Sequence, residues 1–464
     1  MGRGNCSRDS RSSAVATIGA VVCLGYALQL NDGKGDPQAF AWLAAALGFA
    51  MVGTLAPAWR RFERFGDGPA LFMAGVGLAF GLAQFLLKAP SYYLRPTAWG
   101  STPFYMCLAL GGVLGGSLLS RRPWAGRFHV PLLLATYFAL GVWLIHASPR
   151  PHIDVFVFQR DGIAGLLTGE NPYVHRYPDI YGDAVLYGPG MSVDGWLRFG
   201  FPYPPLSLFL AIPGQILAGD YRYSQLAAMT LAGGVMAYTR GSRLGRAAMV
   251  LFLFTPRILF VLGNGWTEPL LIALLALTVF AACRAPRLTP YLFGLLASAK
   301  QYVVLVLPAY LLLLPRPWRW RDVVGALGRG AAAGLLVTLP LALWDVPAFY
   351  KSVVALQFLQ PFRPQALSFL TWSVNATGWP GPELYSIIPI GLAMLVTPLA
   401  LWRATRTPAG FASMVGFVML VYFAVTKQSF CNHYFFPLGA MCLAVAASDP
   451  EQEHGALSPG TIQP

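Results

Sequence analysis

Charged residues are scarce in this sequence. Only 11% of its 464 residues are Asp, Glu, Lys or Arg, whereas soluble globular proteins contain about 25%. Apolar residues make up 56% of the chain, and its mean hydropathy is +0.54. This composition excludes a soluble multidomain enzyme. At about 20 residues per span, the apolar runs predict an all-α polytopic membrane protein with about 12–14 transmembrane or re-entrant helices and ordered outer-face loops.

Cysteine is also scarce, and its spacing argues against two kinds of site. The six cysteines form no C-x-x-C pair, and four of them lie inside apolar runs. They are expected to act as small apolar residues, so neither a metal site nor a disulfide framework is predicted. A basic start and an apolar run in residues 1–30 resemble a signal peptide, but no small-x-small cleavage motif follows cleanly. We therefore expect a retained first helix.

Acidic residues are outnumbered by basic ones, 19 against 33, which gives a net charge of +14. The basic residues lie in short clusters between apolar runs, a pattern typical of cytoplasmic loops. No segment combines a basic patch with interleaved aromatic residues on a polar face. Membrane lipids are therefore the expected partners, and nucleic acid is not.

The basic clusters also predict how the chain crosses the membrane. Residues 1–147 are expected to form an N-terminal transmembrane region with helices at about 14–31, 39–58, 70–88, 103–119 and 130–147. Residues 148–447 are expected to form a catalytic-type transmembrane module, and residues 448–464 a polar cytoplasmic tail. The expected outer loops of the module are residues 148–204, 344–383 and 427–433. The first of these is rich in aromatic residues, which favours an ordered loop.

Two segments do not fit simple crossings. Residues 205–239 could form two short spans, but the basic residues Arg240, Arg243 and Arg246 require one net crossing, so both readings stay open. Residues 288–315 have basic flanks on both sides and Lys300 near their middle. Two half-helices that fold back at Lys300 fit both facts, because backbone breaks within the membrane are tolerated where they line a cavity.

Polar residues at the outer ends of the predicted helices are the candidates for a site. A carboxylate near several cations suits an acid or base that works beside a bound anion such as a phosphate. The outward polar residues are Asp154, Asn264, Glu268, Lys300, Lys351, Arg363, Gln365, Lys427, Asn432 and His433.

Three ordered blocks carry a family resemblance. They are His152-Ile153-Asp154-Val155-Phe156, then Leu166 to Tyr173 (LLTGENPY), then Phe201 to Leu206 (FPYPPL) with Pro213 beyond. This order resembles the D-x-x-x-(Y/F)…L-x-x-G-x-x-P-Y…Y-P-P-L…P pattern of polyprenol-phosphate-sugar glycosyltransferases of the GT-C superfamily, most nearly glycosyltransferase family 87. The turn at 263–265, the lysine segment at 294–308 and residues 427–434 also look like family motifs. The resemblance covers roughly residues 150–440.

The resemblance implies a membrane glycosyltransferase. A polyprenyl-phosphate sugar, with mannose favoured, would be the donor, and a lipid-linked or glycan hydroxyl the acceptor. Asp154 matches the family's general base on the first outer loop. Candidates for binding the leaving phosphate are Lys300, Arg257 and His433. Candidates for substrate contacts are Asn264, Glu268, Tyr173, Tyr203, Lys427, Asn432 and Arg363.

Two departures from the family pattern matter. Gln301 follows Lys300 where the family often has proline. Asp154 has Ile153 and Val155 as neighbours, whereas family members with paired acidic residues often bind a metal. We therefore predict neither a metal nor another cofactor.

Other readings stay open from sequence alone. Asp154 and Glu268 could cap helices, Arg257 could reach outward to the interface, and Lys300 could pair with an acid. The chain could instead be a transporter or flippase of a lipid-linked or anionic solute, although no inverted repeat is visible, or a non-catalytic assembly protein. Composition favours a bacterial plasma membrane with the site on the extracytoplasmic face, and an endoplasmic reticulum protein would have the same topology.

Overall fold

The computed structural model describes residues 10–56, 66–120, 126–182, 184–314 and 317–448. Nearly all regular structure in these ranges is helical, and one small antiparallel pair joins Ser192–Val193 to Trp196–Leu197. The basic residues at 60–64 and 121–122 and the tail at 449–464 lie outside the described residues. The all-α class predicted from composition is confirmed for the described chain.

The α-helices are numbered in chain order. They are α1 (Ser10–Leu30), α2 (Pro37–Leu55), α3 (Gly68–Leu87), α4 (Thr102–Leu119), α5 (His129–Ala147), α6 (Asp154–Leu167), α7 (Ala184–Tyr187), α8 (Leu206–Ala218), α9 (Arg222–Tyr238), α10 (Arg243–Phe254), α11 (Ile258–Gly263), α12 (Glu268–Arg284), α13 (Thr289–Ala297), α14 (Trp320–Ala342), α15 (Val346–Phe349), α16 (Leu356–Leu359), α17 (Phe369–Thr377), α18 (Ile387–Arg403), α19 (Pro408–Ala424) and α20 (Cys431–Ala447). Short 3-10 helices lie at Gly126–Phe128, Pro286–Leu288 and Pro382–Leu384, a long one at Gln301–Leu312, and a π-helical turn at Tyr350–Ala355.

Seven of the described helical segments are long and apolar enough to cross a membrane: the segments that contain α1 to α5, α14 and α18. The first five lie within a few residues of their predicted positions. Five shorter apolar segments, including α8, α19 and α20, add further candidates. A polytopic membrane protein is therefore supported, while the count of 12–14 crossings stays a prediction.

The core lies on the central helices α10, α12, α19 and α20. Nearly every residue of α10 and α20 is buried, whereas α14 and α18 expose Leu336, Leu395 and other large apolar side chains. Apolar surface of this kind suits contact with lipid tails. One apolar core runs from Ile18 in α1 to Val445 in α20, so the N-terminal helices and the later helices pack as one body.

Two helical stretches in the later part of the chain are interrupted. The break between α10 and α11 contains Pro256, which has no backbone N–H to donate, and Arg257 with φ 67°. The second break lies between α13 and the 3-10 helix, at residues 298–300. Phe293 and Tyr310 on either side of it stack with ring centroids 4.9 Å apart. The chain therefore reverses direction near Lys300, as predicted, although the second half is 3-10 rather than α.

The segment 205–239 forms the hairpin of α8 and α9. Arg222, the first residue of α9, is fully buried and donates to the carbonyl oxygen of Ser148 at 2.8 Å and to that of Gly263 at 3.1 Å. Because Ser148 follows α5, the start of α9 lies beside the end of α5. A single net crossing of residues 205–239 stays a prediction.

Helices α13 and α14 approach each other through glycine. A Cβ atom built on Gly294 would lie 1.9 Å from the carbonyl oxygen of Gly330. One built on Gly334 would lie 3.0 Å from the carbonyl oxygen of Gly294. Gly330 and Gly334 form a G-x-x-x-G pair, a motif that allows close contact of helices in membranes.

We expect Gly294→Ala to destabilise the protein by about 1–3 kcal/mol, because the added methyl group would overlap the α14 backbone. The measurement is the midpoint of thermal unfolding in detergent. Gly328→Ala is the matched control, because a Cβ atom there meets nothing within 4 Å and alanine favours helix. An equal loss of stability in both variants would contradict the close contact.

Candidate functional site

Asp154 is the first residue of α6, within the segment 148–204 that was predicted as an outer loop. Its backbone N–H donates to the Tyr181 hydroxyl at 3.1 Å, and its carboxylate oxygen Oδ1 accepts from the N–H of Val155 at 2.8 Å. The side chain is half-buried. Burial raises the pKa of the Asp154 carboxyl above the ordinary aspartate value, although the Val155 N–H and the charge of Arg363 act in the opposite direction.

Three tyrosine side chains lie within electrostatic range of the Asp154 carboxylate. Burial and the charge of Asp154 raise the pKa values of Tyr93, Tyr181 and Tyr187. Tyr181 and Tyr187 stack with ring centroids 5.9 Å apart. The Tyr187 hydroxyl is buried and has no hydrogen-bond partner within the described residues. The Tyr93 hydroxyl donates to the carbonyl oxygen of His152 at 3.0 Å. Tyrosine residues near one carboxylate form an environment that could bind a polyhydroxylated molecule.

The loop that carries Asp154 is held by its own aromatic core. Phe158 contacts Tyr177 and Tyr173 contacts Phe349, with ring centroids 5.1 and 5.0 Å apart. The side-chain oxygen Oδ1 of Asn171 accepts from the Tyr173 N–H at 2.9 Å, which is the Asx geometry expected of a turn. The contact with Phe349 links this part of the loop to the segment 344–383, and the order of the whole loop stays a prediction.

Tyr173 plays a different part from the one expected. Its side chain is only 2% exposed, and its hydroxyl donates to the carbonyl oxygen of Tyr203 at 2.9 Å. A side chain in this position supports the backbone of Tyr203. The observed role of Tyr173 is structural, and a contact between Tyr173 and substrate stays a prediction.

Lys300 lies at the break after α13, where it pairs with Glu268. The ammonium nitrogen Nζ lies 3.1 Å from the carboxylate oxygen Oε1 of Glu268 and donates to the Thr267 hydroxyl at 2.7 Å. It also lies 4.0 Å from the centroid of the Tyr203 ring. Lys300 and Glu268 are 6% and 1% exposed. The alternative that Lys300 pairs with an acid is therefore the one found, and a phosphate role would require the pair to open.

Tyr203 lies within electrostatic range of both carboxylates, Asp154 and Glu268. Burial raises the pKa of its hydroxyl, and the charges of Asp154 and then Glu268 raise it further. Gln301 secures the neighbouring backbone, since its side-chain amide donates to the carbonyl oxygens of Pro202 at 2.9 Å and Val353 at 3.1 Å. The residue that departs from the family pattern thus fixes the position of the Y-P-P-L segment.

The start of α20 lies beside the Lys300–Glu268 pair. The Asn432 side-chain amide donates to Oε1 of Glu268 at 3.5 Å. His433 lies within electrostatic range of Glu268 and Lys300, and its Nδ1 accepts from the Phe430 N–H at 3.4 Å. Oε2 of Glu268 is buried without a hydrogen-bond partner in the described chain. Asn432, His433 and Glu268 are thus brought together as predicted.

Lys427 and Arg363 link the loop segment 344–383 to the segment 427–433. The Lys427 ammonium donates to the carbonyl oxygen of Phe358 at 3.1 Å, and the Arg363 N–H donates to the carbonyl oxygen of Lys427 at 3.0 Å. The Arg363 guanidinium also donates to the carbonyl oxygen of Leu186. The charge of Arg363 lowers the pKa of Asp154, so Arg363 lies within electrostatic range of the candidate base.

Asn264 and Arg257 are not at this centre. Asn264 is 1% exposed, and its amide donates to the carbonyl oxygen of Phe260 in its own helix at 2.8 Å, so it secures the end of α11. Arg257 is 4% exposed and pairs through Nε with Oδ1 of Asp32 at 3.0 Å. Each residue thus makes a structural contact away from Asp154, and a role of Asn264 in binding substrate or of Arg257 in binding phosphate stays a prediction.

The Asp32 cluster was not foreseen from the sequence. Lys88 also pairs with Oδ1 of Asp32, at 2.8 Å, and the Tyr92 hydroxyl donates to Oδ2. Asp32 and Arg257 have φ values of 55° and 67°, a conformation that costs a non-glycine residue about 1–3 kcal/mol. The buried pair therefore holds two strained loop positions together at the outer ends of α1, α3 and α10.

We expect Asp32→Asn to destabilise the protein by about 3–5 kcal/mol, because it leaves the buried Arg257 without its counter-charge. The measurement is thermal unfolding in detergent. Asp36→Asn in the same loop is the matched control. Asp36 caps α2 by accepting from the N–H of Gln38 at 2.9 Å, and Asn caps about as well as Asp. A similar small effect in both variants would contradict the proposed importance of the cluster.

Within the described residues, no group of three or more His, Cys, Asp or Glu side chains could hold a metal ion. The contacts that sequence reasoning missed are those of Tyr181, Tyr187, Gln301 and Asp32. The density of tyrosine between residues 173 and 203 was the available signal for the first two. Asp32 gave none, because its partners Lys88 and Arg257 are far away in the chain.

Comparison with known proteins finds no similar one: no family model matches the chain, and no match was found among curated proteins or solved structures.

Proposed function

We propose that this protein is a membrane glycosyltransferase of the GT-C type. It would transfer a sugar, with mannose favoured, from a polyprenyl-phosphate donor to an acceptor hydroxyl at the extracytoplasmic face of a bacterial plasma membrane. The observation that carries the proposal is the setting of Asp154. Burial raises the pKa of its carboxyl, and the charge of Arg363 lowers it. Tyr181 and Tyr187 lie within electrostatic range of the same carboxyl. The resemblance of residues 150–440 to such enzymes supports the same reading.

In the proposed reaction, Asp154 accepts the proton of the acceptor hydroxyl as the new glycosidic bond forms. The acceptor O–H gives its proton to the Asp154 carboxylate while its oxygen forms a bond to the anomeric carbon of the sugar. The bond between that carbon and the phosphate oxygen breaks, and polyprenyl phosphate leaves with the electron pair. A carboxylate whose pKa is raised is a stronger base than a free one, which favours proton acceptance.

The leaving phosphate requires nearby positive charge. Arg363 is the best-placed cation, because it acts electrostatically on Asp154 and belongs to the loop that contacts Lys427. A guanidinium can bind two phosphate oxygens at once. Lys300 is assigned instead to holding Tyr203 and Glu268, with His433 and Asn432 beside it as substrate contacts.

The test is transfer by purified protein in proteoliposomes. Radiolabelled polyprenyl-phosphate mannose and other polyprenyl-phosphate sugars are supplied with acceptor lipids extracted from a bacterial membrane, and labelled product is measured. Labelled product that requires the protein supports the proposal. Movement of an unmodified donor across the bilayer, without transfer from any donor, would overturn it and favour a transporter. The interrupted helices near Arg257 and Lys300 would also suit a transporter.

A further inference from the structure

A cavity lies at the opposite end of α12 from Glu268. Its volume is about 390 Å³, and its walls include Ala282 near the end of α12 and the beginnings of α13, α14 and α19. Helix α12 has 17 residues and is therefore about 25 Å long. The cavity thus lies on the arginine-bearing side, well away from Asp154.

The charge that lines this cavity is mainly positive. Of the described residues that line it, three are arginines (Arg321, Arg329 and Arg406) and one is an aspartate, Asp322. Basic residues at this end of a helical bundle are expected from topology alone. What topology does not require is that three arginines from different positions line one cavity.

Helix dipoles add to this charge. Thr289, Trp320 and Pro408 begin α13, α14 and α19, so three positive helix ends face the same region. In the described chain, the residues that precede α13 and α14 provide no side-chain cap to the first turn. Uncapped N-termini favour a bound anion, and phosphate is the anion most often held in this way.

A buried hydroxyl group belongs to a residue of the cavity wall. Thr289 lines the cavity and is only 3% exposed, and its Oγ1 has no hydrogen-bond partner among the described residues. Leaving a buried hydroxyl unpaired costs about 1–3 kcal/mol. An oxyanion in the cavity would accept a hydrogen bond from this group.

The surroundings of the cavity are apolar on the lipid side. Leu312, Leu313 and Leu314 form part of its wall, and Val324 and Leu327 on the first turns of α14 are 52% and 53% exposed. Acyl chains could lie against this surface while a head group occupies the cavity. From these observations we infer that the cavity binds the phosphate group of an anionic phospholipid on the arginine-bearing side of the membrane.

Binding of labelled phosphatidylglycerol to purified protein in a neutral detergent tests this inference. Wild-type protein should bind it saturably, and the double variant Arg321→Gln/Arg329→Gln should bind at least tenfold more weakly. Thr289→Val keeps the side-chain shape, removes only the hydroxyl and should weaken binding several-fold. The matched control is Arg287→Gln/Arg403→Gln, which removes two exposed charges from the same side outside the cavity.

Each outcome decides the inference. Weaker binding by the cavity variants alone, with unchanged thermal unfolding, supports it. Equal losses in the cavity and control variants indicate non-specific attraction and overturn it, as does the absence of saturable binding by the wild type. Inorganic phosphate is the second probe. Binding of inorganic phosphate as tight as that of phosphatidylglycerol would overturn a lipid ligand in favour of a soluble phosphate compound.

Discussion

Asp154→Asn should lower the rate of sugar transfer by about 10²–10⁴-fold, the range expected when a general base is removed. The amide has nearly the shape of the carboxylate and can still accept from the Val155 N–H, so the start of α6 should stay intact. It cannot take a proton from the acceptor hydroxyl. The measurement is the initial rate in proteoliposomes, together with the thermal midpoint of the same preparation.

Asp161→Asn is the matched control for this prediction. Asp161 lies on the same helix, but its carboxylate pairs with the neighbouring Arg160, with Oδ1 2.7 Å from Nε, and both side chains are partly exposed. Exposed pairs contribute little to stability, so this variant should retain activity within about threefold. Full activity of Asp154→Asn would remove Asp154 as the base, even if transfer by the wild type were established.

The pH dependence of transfer gives a second readout of the same group. A base must be deprotonated, so kcat/KM should rise with pH through the pKa of Asp154. Because burial raises that pKa, this limb should lie above the ordinary aspartate value of about 3.9. Arg363→Gln should move the limb to higher pH, since the charge of Arg363 lowers the pKa. A limb unchanged in the Arg363 variant would contradict their coupling.

Removing one member of the Lys300–Glu268 pair should cost about 3–5 kcal/mol of stability, because the remaining charge would be buried without its partner. Glu268→Gln and Lys300→Met should each show this loss. The double variant should recover much of it, because two uncharged side chains leave no buried charge. Unfolding of the four proteins in detergent gives the coupling energy as a double-mutant cycle.

Lys351→Met is the control for loss of a lysine charge, because Lys351 is exposed on the second outer loop. It should change stability by less than about 1 kcal/mol. The cycle also separates two roles of Lys300. If Lys300 binds the donor phosphate directly, Lys300→Met should abolish transfer while Glu268→Gln, once stabilised by lower temperature, retains it. Parallel loss of stability and transfer in both single variants would indicate a positioning role.

Local composition was sufficient to predict much of the architecture. A helix that spans a membrane requires about 20 apolar residues in succession, and this requirement can be read directly from the chain at α1 to α5, α14 and α18. The break at Lys300 could also be predicted, because a buried charge inside an apolar run is costly.

Which charges meet could not be predicted in the same way. The sequence places Arg257 and Lys300 as similar buried cations, yet folding gives one to Asp32 and the other to Glu268. Asp32 precedes Arg257 by more than two hundred residues, and no local pattern marks a contact between chain segments so far apart. The packing of the helices brings Asp32 to Arg257 and Glu268 to Lys300. Each buried charge requires a partner, and only the assembled helices supply one.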